Sequence, residues 1–473
     1  GKFVLNGISN GAILLISYIG YIDQKIKIDG GQNSYQITLL EDTQKLDEVI
    51  VIGYGVEKKV NLTGAITNVK TEELSTISTT NLSNTLAGRA PGLTIVGSSG
   101  FMGASSEIRM RGGFGDPLFV IDGIIRDKAA FDALEPNEID QLSFLKDAAT
   151  ASVYGSKAGN GVVLVTTKSG ADAMGKPKFE YQGSYTFNRP TRKLFSDEMS
   201  AYKELVYQNL VAEANGLPLP NNEEEMEYAK THDYNVNDLI WQNPWNTKHS
   251  ISATGGTEKV KYYVAGSYYK ENGVFRPDKG LGYNPASSWS RFNFRSNLDI
   301  NLFKNTVLNI NLSNQYDVKK QPNNNASLWI YTFKTIPIAI PKKYSDGTVA
   351  RPTIGDNPYN LLNLNGYNEL FTNNAQSLIG LTQDFSPWIK GLKANIKFSW
   401  DAYNYAHLNR SKNPSTYYAT GRNEDGNLMY TKNNDGNDYL VLYKDNKGNR
   451  TTYLEASLTY ENLFANAHRV GGL

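Results

Sequence analysis

Through the second half of the chain, apolar and polar side chains alternate with a period of two. In 178–188, Phe179, Tyr181, Gly183, Tyr185 and Phe187 share one face, while Lys178, Glu180, Gln182, Ser184 and Thr186 share the other. Such alternation predicts a strand with one apolar and one wet face. The rule returns at 291–302, where Phe292, Phe294, Leu298, Ile300 and Leu302 oppose Arg291, Asn293, Arg295, Asn297, Asp299 and Asn301. It returns again at 392–402, with Ile396, Phe398 and Trp400 opposite Lys393, Asn395, Lys397 and Asp401. Weaker versions predict strands at 248–254, 258–270, 306–316, 374–384 and 451–461, and 468–473 starts another.

Long polar excursions (189–247, 271–289, 317–373, 403–450) take turns with short ones (255–257, 303–305, 385–391, 462–466). Antiparallel neighbours place every second connection at the same end of a sheet, so one end carries long loops and the other tight turns, as in an outer-membrane barrel. Strands of about 10 to 13 residues also suit the ~9–11 needed to cross a bilayer at a tilt. A soluble sandwich favours strands of ~5–6 residues and does not sort its loops by length.

Upstream the pattern differs. Residues 57–170 mix short strands with short helices, including helices over 82–87 and 148–154 and strands over 62–69, 93–96, 106–110, 117–121, 139–146 and 162–167, and predict a compact α+β domain. Residues 41–56 place a polar linker before an isolated β-branched run, Val49–Ile52. Residues 1–40 carry β-type runs (2–5, 13–21, 25–28, 35–40) between Asn-Gly and Asp-Gly turns, as part of a small β-sandwich. An eight-stranded barrel is filled by its own side chains, and a domain of about 115 residues, with a radius of gyration near 13 Å, does not fit inside. The expectation is therefore the first part of a barrel of roughly twenty strands, in a chain that continues beyond both ends shown here.

Composition removes alternatives. Lys+Arg 48 against Asp+Glu 47 leaves a net charge of +1, with no general basic field for nucleic acid. Cys 0 excludes disulfide scaffolds and thiolate chemistry, and His 4 without HxxxH or HExxH spacing offers no zinc site. The longest apolar run, 12–22, is too short for a membrane helix, which needs ~20 residues. The mean hydropathy of -0.45 is compatible with a barrel whose lumen and loops are polar. Tyr 30 is the strongest compositional bias and suits strand surfaces where a ring meets both an apolar medium and a polar edge.

The segments 46–66 (LDEVIVIGYGVEKKVNLTGAI), 86–95 (LAGRAPGLTI), 108–113 (IRMRGG), 117–124 (PLFVIDGI) and 138–170 together resemble the plug of SusC/RagA-type TonB-dependent outer-membrane transporters. Residues 1–21 are similar to the end of the carboxypeptidase-regulatory-like domain that precedes that plug, and 178–473 resembles the first part of its barrel. The resemblance implies a mainly β protein: residues 1–40 ending a β-sandwich, 41–56 a linker with a TonB box, 57–170 an α+β plug, and 171–473 the first eight to nine strands of a transmembrane antiparallel barrel. It further implies import of a large oligosaccharide or peptide across the outer membrane of a gram-negative-type envelope, with outer-membrane lipid around the barrel, a SusD-like surface lipoprotein as lid and TonB with ExbB–ExbD as energy source. No cofactor, metal or enzymatic activity is implied.

Asp47, Glu48, Val49, Ile50, Val51, Ile52, Gly53 and Tyr54 resemble the TonB box. An extended β-branched segment on a leash is what β-augmentation onto a partner's sheet edge requires, although a plain core strand reads the same way. Arg109 and Arg111 suit pairing with barrel-wall carboxylates or a solvated strand face. Asp122, Gly123, Asp147, Tyr154 and Gly155 are expected to set plug turns and packing. Phe101, Met102, Phe114 and Asp116 are expected at the substrate-facing apex, where the loop between Arg111 and Pro117 is shorter than the family's usual one.

Three further signals are weaker. Ser143-Phe144-Leu145-Lys146 fits S-x-x-K without its companion motifs and reads as a buried strand. Glu223–Glu227 reads as a solvated helix face. The turns at 424–426, 434–436 and 445–449 resemble calcium loops but lack the ligand spacing, and read as hairpin tips. The alternative to a transporter is a secreted or surface-anchored β-rich glycan-binding protein or adhesin without a pore.

Overall fold

The computed structural model describes residues 66–472 except 70, 75–78, 80, 98, 148–150, 172–175, 190–199, 232–239, 335–340, 345, 353–354 and 465–467; before these it describes 13–16, 24–28, 37, 49–52 and 55–58. At the N-terminal side Ile13–Ile16 (β1) and Gln24–Lys27 (β2) pair antiparallel. The run expected over 2–5, and all of 35–40 except residue 37, lie outside the described residues. Val49–Ile52 (β3) forms an antiparallel hairpin with Gly55–Lys58 (β4). Asp47, Glu48, Gly53 and Tyr54 lie outside the described residues.

The next unit is a mixed sheet of Ile66–Val69 (β5), Leu118–Ile121 (β8), Ile124–Arg126 (β9), Ile139–Leu145 (β10) and Val162–Thr167 (β11), in the order β5-β10-β11-β8-β9. A separate hairpin joins Leu93–Gly97 (β6) to Ser106–Met110 (β7). The central strands β10 and β11 are covered on both faces, which is why their sequences are nearly continuous apolar runs. One face packs Leu142, Phe144, Val163 and Val165 against Leu82, Leu86 and Phe131. The other packs Leu145, Val162 and Leu164 against Ala151 and Ala158. Ser143 of the S-x-x-K run is buried in β10 and donates to Asn68 Oδ1 at 2.9 Å.

Two local expectations change. Of the helix expected over 148–154, residues 148–150 lie outside the described residues and Ala151 is helical; beyond it 3-10 turns run across Ser152–Ala158, kinked where Gly155 takes φ 65°, ψ −152°, a conformation that disfavours a continuous helix. Downstream of the Asp122-Gly123 turn come two elements the periodicity does not reveal: β9 and a short helix, Lys128–Asp132 (α1), capped by Asp127, whose carboxylate accepts from the Ala130 amide at 2.8 Å.

The remainder is one nine-stranded antiparallel sheet, the wall: Lys178–Phe187 (β12), Trp245–Gly256 (β13), Val260–Asn272 (β14), Ser288–Phe303 (β15), Thr306–Pro322 (β16), Gly366–Asp384 (β17), Leu392–Asn413 (β18), Asn437–Phe464 (β21) and His468–Gly472 (β22). Thr416–Arg422 (β19) and Leu428–Asn434 (β20) form their own hairpin. Among the described residues the sheet is open, with β12 and β22 at its edges. Long and short connections alternate as expected, but the later strands are longer: β18 has 22 residues and β21 has 28, against ~9–11 for a crossing. The expected excursions 317–373 and 403–450 therefore shrink, because the ladder continues past the apolar band. Asp445–Asn449, expected as a hairpin tip, lies inside β21 paired with Tyr403–His407.

Beyond the apolar band the first three long excursions share a small core of Ile240, Phe275, Leu328, Leu361 and Leu362. It includes the helices Asn325–Lys334 (α2) and Pro358–Asn363 (α3). Asparagines tie it together. Asn357 and Asn360 donate to the Ala350 carbonyl at 3.1 and 2.7 Å, and Asn363 accepts from the Asp278 amide at 2.8 Å. Glu223–Thr231 is helical, as expected.

On the wall, Phe292, Phe294 and Trp400 are exposed on one face while Arg291 and Arg295 are buried on the other. Since the chain has Cys 0, single cysteines at 292, 294 and 400 report cleanly. They are expected to react with a membrane-soluble thiol reagent and a cysteine at 293 is not; the reverse pattern would mean that the register is shifted by one residue.

Candidate functional site

The wet face of the wall meets the α+β unit, hereafter the plug. Continuous register sets Ala265, Arg295, Ser313, Gln376 and Asp401 side by side on one level of the sheet. Two charges of opposite sign on that level each find their complement on the plug. Arg295 Nε donates to Glu138 Oε2 at 2.8 Å, with side chains only 4% and 5% exposed. Asp401 accepts two bonds from Arg126, 2.9 Å from Nε and 3.2 Å from Nη2. Paired forks of this kind fix geometry as well as charge.

Further contacts surround the pair. Lys248 stands 2.6 Å from Glu135, and Asn297 donates to Thr167 Oγ1 at 2.8 Å and to the Lys168 carbonyl at 2.7 Å. Asn137 bonds both Gln182 and Ser250, and Tyr263 donates to the Asn137 carbonyl at 3.2 Å. The seat is therefore polar almost throughout. Burial pushes the Glu138 carboxyl above the usual carboxylate range, and the Arg295 guanidinium opposes that shift.

Asp122 links turn to seat. It and Gly123 both take positive φ (52° and 83°) between β8 and β9, the two-residue turn favoured in tight hairpins. The Asp122 carboxylate accepts from the Thr167 amide at 2.8 Å and hydroxyl at 2.9 Å, and lies 3.9 Å from Arg295. Asp147 accepts through its carbonyl from the Ala151 amide at 3.1 Å, and Tyr154 packs on the second plug core.

The two arginines expected to pair with wall carboxylates do otherwise. Arg109 pairs with Glu107 at 2.6 Å, and both side chains are exposed, because residues two apart on a strand share a face. Arg111 is exposed with φ 50° and its amide donates to the Gly92 carbonyl at 2.9 Å; partial burial, and secondarily the Arg111 guanidinium, lower the Lys146 pKa. Sequence reasoning missed Arg126, Glu135 and Glu138 altogether. Their signal is faint: charges bordering short apolar runs of a domain that must be enclosed.

Above the seat, toward the long connections, the plug loop 99–104 meets the wall around Trp289. Gly103 has φ 72°, and any Cβ there would run into the Trp289 ring. Asn81 and Asn84 hold the loop through the carbonyls of Gly103 and Ala104, at 3.0 and 3.1 Å. The indole donates to Asp317 at 3.0 Å beneath the Arg291 guanidinium, itself 2.7 Å from Asp317. Beside this contact opens a cleft of about 700 Å³ between loop and wall. Phe101 and Met102 line it, Phe101 edge-on to Trp329 at 6.0 Å. Phe114 and Asp116, expected at the same apex, do not: Phe114 is 90% exposed, and Asp116 accepts from the Ile108 amide at 3.1 Å. Among the described residues no group of three or more His, Cys, Asp or Glu is placed to hold a metal.

Removing one partner of a buried pair leaves an uncompensated charge, whereas replacing both with apolar groups costs little. Arg295→Met is thus expected to weaken plug seating by about 3–5 kcal/mol, and Arg295→Met with Glu138→Leu to regain most of it. Protease sensitivity of the plug across a urea series measures this; equal losses in both variants would contradict it. Gly103→Val is expected to unseat the loop and raise Trp289 solvent exposure in fluorescence quenching, with Trp289→Ala relieving the proteolytic sensitivity that results. An unchanged Gly103→Val protein would contradict the close contact.

Residues 58–162 match the family described as TonB-dependent Receptor Plug Domain. The chain is 32% identical over 327 residues to TonB-dependent receptor SusC of Bacteroides thetaiotaomicron, covering 66% of this chain and 30% of that protein. It is 34% identical over 298 residues to TonB-dependent receptor P26 of Formosa agariphila, covering 61% and 28%. Among solved structures, the RagAB peptide importer in its open-open state superposes with a TM-score of 0.62 at 18% identity, covering 88% of this chain and 54% of that one; at that identity the likeness is one of fold. The chain thus spans about three tenths of the curated relatives it matches and about half of the RagAB chain. These relatives are receptors rather than enzymes. By these matches the chain is similar to TonB-dependent receptors of the SusC/RagA type, most directly over its plug.

Proposed function

We propose that the protein is a TonB-dependent outer-membrane transporter that imports a large nutrient of the glycan or peptide class, with a SusD-like lipoprotein as lid. The observation that carries this reading is the plug seat. Its contacts are buried, charge-complementary and polar, so the plug exposes hydrophilic groups when it shifts and loses no large apolar interface. That suits a stopper which must be held in water and yet yield to a pull.

Around the seat the roles divide. Residues 1–40 end a carboxypeptidase-regulatory-like domain, 41–56 form the leash, 57–170 the plug, and 171–473 the first barrel strands. Asp47–Tyr54 serves as the TonB box: β3 is already extended and hydrogen-bonded to β4, and exchange of that partner for a strand of TonB would be β-augmentation. ExbB–ExbD supplies the energy for the pull. Substrate enters the cleft from the long-connection side, and displacement of the plug from the Arg295 and Asp401 level opens a path along the wet face.

Deleting 47–54 from the full-length protein is expected to abolish uptake of a labelled substrate by cells while surface binding of that substrate persists. Normal uptake by the deletion strain would refute the proposal.

A further inference from the structure

Resting on that transport reading, one plug carboxylate ties the cleft to the seat. Asp132 ends α1 and is buried, and its carboxylate joins three separate segments. One oxygen accepts from the Ser83 amide at 3.0 Å, in the short helix Leu82–Thr85. The other accepts from the Ser105 hydroxyl and the Lys128 ammonium, each at 2.7 Å. Lys128 bonds Ser105 as well, which closes a triangle. Ser105 directly follows the cleft loop 99–104. At the start of α1, Asp127 caps the helix and the preceding residue, Arg126, grips Asp401 on the wall. The Asp132 carbonyl accepts from Arg291 Nη1 at 3.4 Å, so both ends of this five-residue helix bear on the wall.

We propose that Asp132 is a positioning residue that couples the cleft loop to one of the plug's two wall clamps. When the loop lifts from Trp289, Ser105 leaves the carboxylate, α1 loosens and the Arg126–Asp401 clamp weakens. A buried anion that loses a donor is left short of bonding, so a seated loop and a closed clamp are favoured together. The helix between them is about 7.5 Å long, less than two turns, and moves as one piece. By reciprocity a loosened clamp favours a lifted loop. Cargo that lifts the loop thus frees the plug from β18 before any pull, while Arg295–Glu138, which shares none of these bonds, keeps it seated on β15.

Hydrogen exchange of the full-length protein in detergent, read by mass spectrometry, tests this without a cargo, because Gly103→Val displaces the loop by itself. Exchange is expected to rise over 99–104 and, by about fivefold to a hundredfold, over 124–132, with 139–145 of β10 unchanged. Ser105→Ala alone is expected to raise 124–132 by a similar factor, and Gly103→Val added to it to raise that segment no further. Ser105→Thr keeps the hydroxyl and is expected to behave as the parent protein. A loop that opens while 124–132 stays protected overturns the coupling, and so does a loop that Gly103→Val leaves protected. Additive rises in the double variant overturn the Ser105–Asp132 route in favour of one through Trp289 and Arg291. A rise that includes 139–145 makes Asp132 a folding residue only. All of these leave transport standing, and transport fails separately if uptake survives loss of 47–54.

Discussion

The structure depends on a cation and an anion that face each other with no water between them. Taking Arg295 and Glu138 out of water is costly, and their attraction offsets that cost only because the geometry is good and neighbouring groups complete the bonding. Such a pair contributes little net stability, but a misplaced plug would strand both charges. The pair therefore specifies position more than it adds strength. With Asp401 and Arg126 reversing the sign on the same level, the plug has one orientation in which both charges are met. An apolar seat would hold more firmly, but it would tolerate rotation and expose greasy surface on release.

The same logic explains why strand register matters so much here. Side chains on neighbouring strands reach the same level only if the ladder holds without slippage from β14 to β18, and it does over long stretches. A one-residue slip would turn Arg295 and Asp401 onto the apolar face and bring Phe294 and Trp400 onto the wet one. The apolar face thus does two jobs, since keeping it on one side also fixes the plug's binding residues on the wet side. Trp289 belongs to the same ladder, three same-face steps further out on the strand of Arg295, so cleft and seat are positioned by one constraint.

Much of this was legible in the residues, and the limits have physical causes. Periodicity is local, so counting by twos placed Phe292, Phe294 and Trp400 on one face and Arg291 and Arg295 on the other. The partner of Arg295 lies 157 residues away, and nothing local announces it. Arg109 illustrates the converse: a guanidinium announces what it can bind, but Glu107 on the same strand face is always within reach, and proximity decided. Phe101 and Met102 line the cleft, whereas Phe114 and Asp116 do not, because Asp116 closes the loop onto the Ile108 amide.

The outer excursions were the least legible, and the reason is chemical. Text rich in asparagine reads as loop because free Asn competes with the backbone for hydrogen bonds. Here that competition builds order. Asn357, Asn360 and Asn363 line one side of a buried helix, and two of them donate to the Ala350 carbonyl while the third receives the Asp278 amide. Carbonyls and amides that would otherwise be orphaned away from water are thereby satisfied, and Leu361 and Leu362 can be buried between them. The excursions become fixed ground above the wall, and Trp329, whose ring meets Phe101 of the plug loop, stands on it. The cleft is therefore bounded by ordered surfaces on the plug, wall and outer sides, and a ligand entering it meets groups already in place.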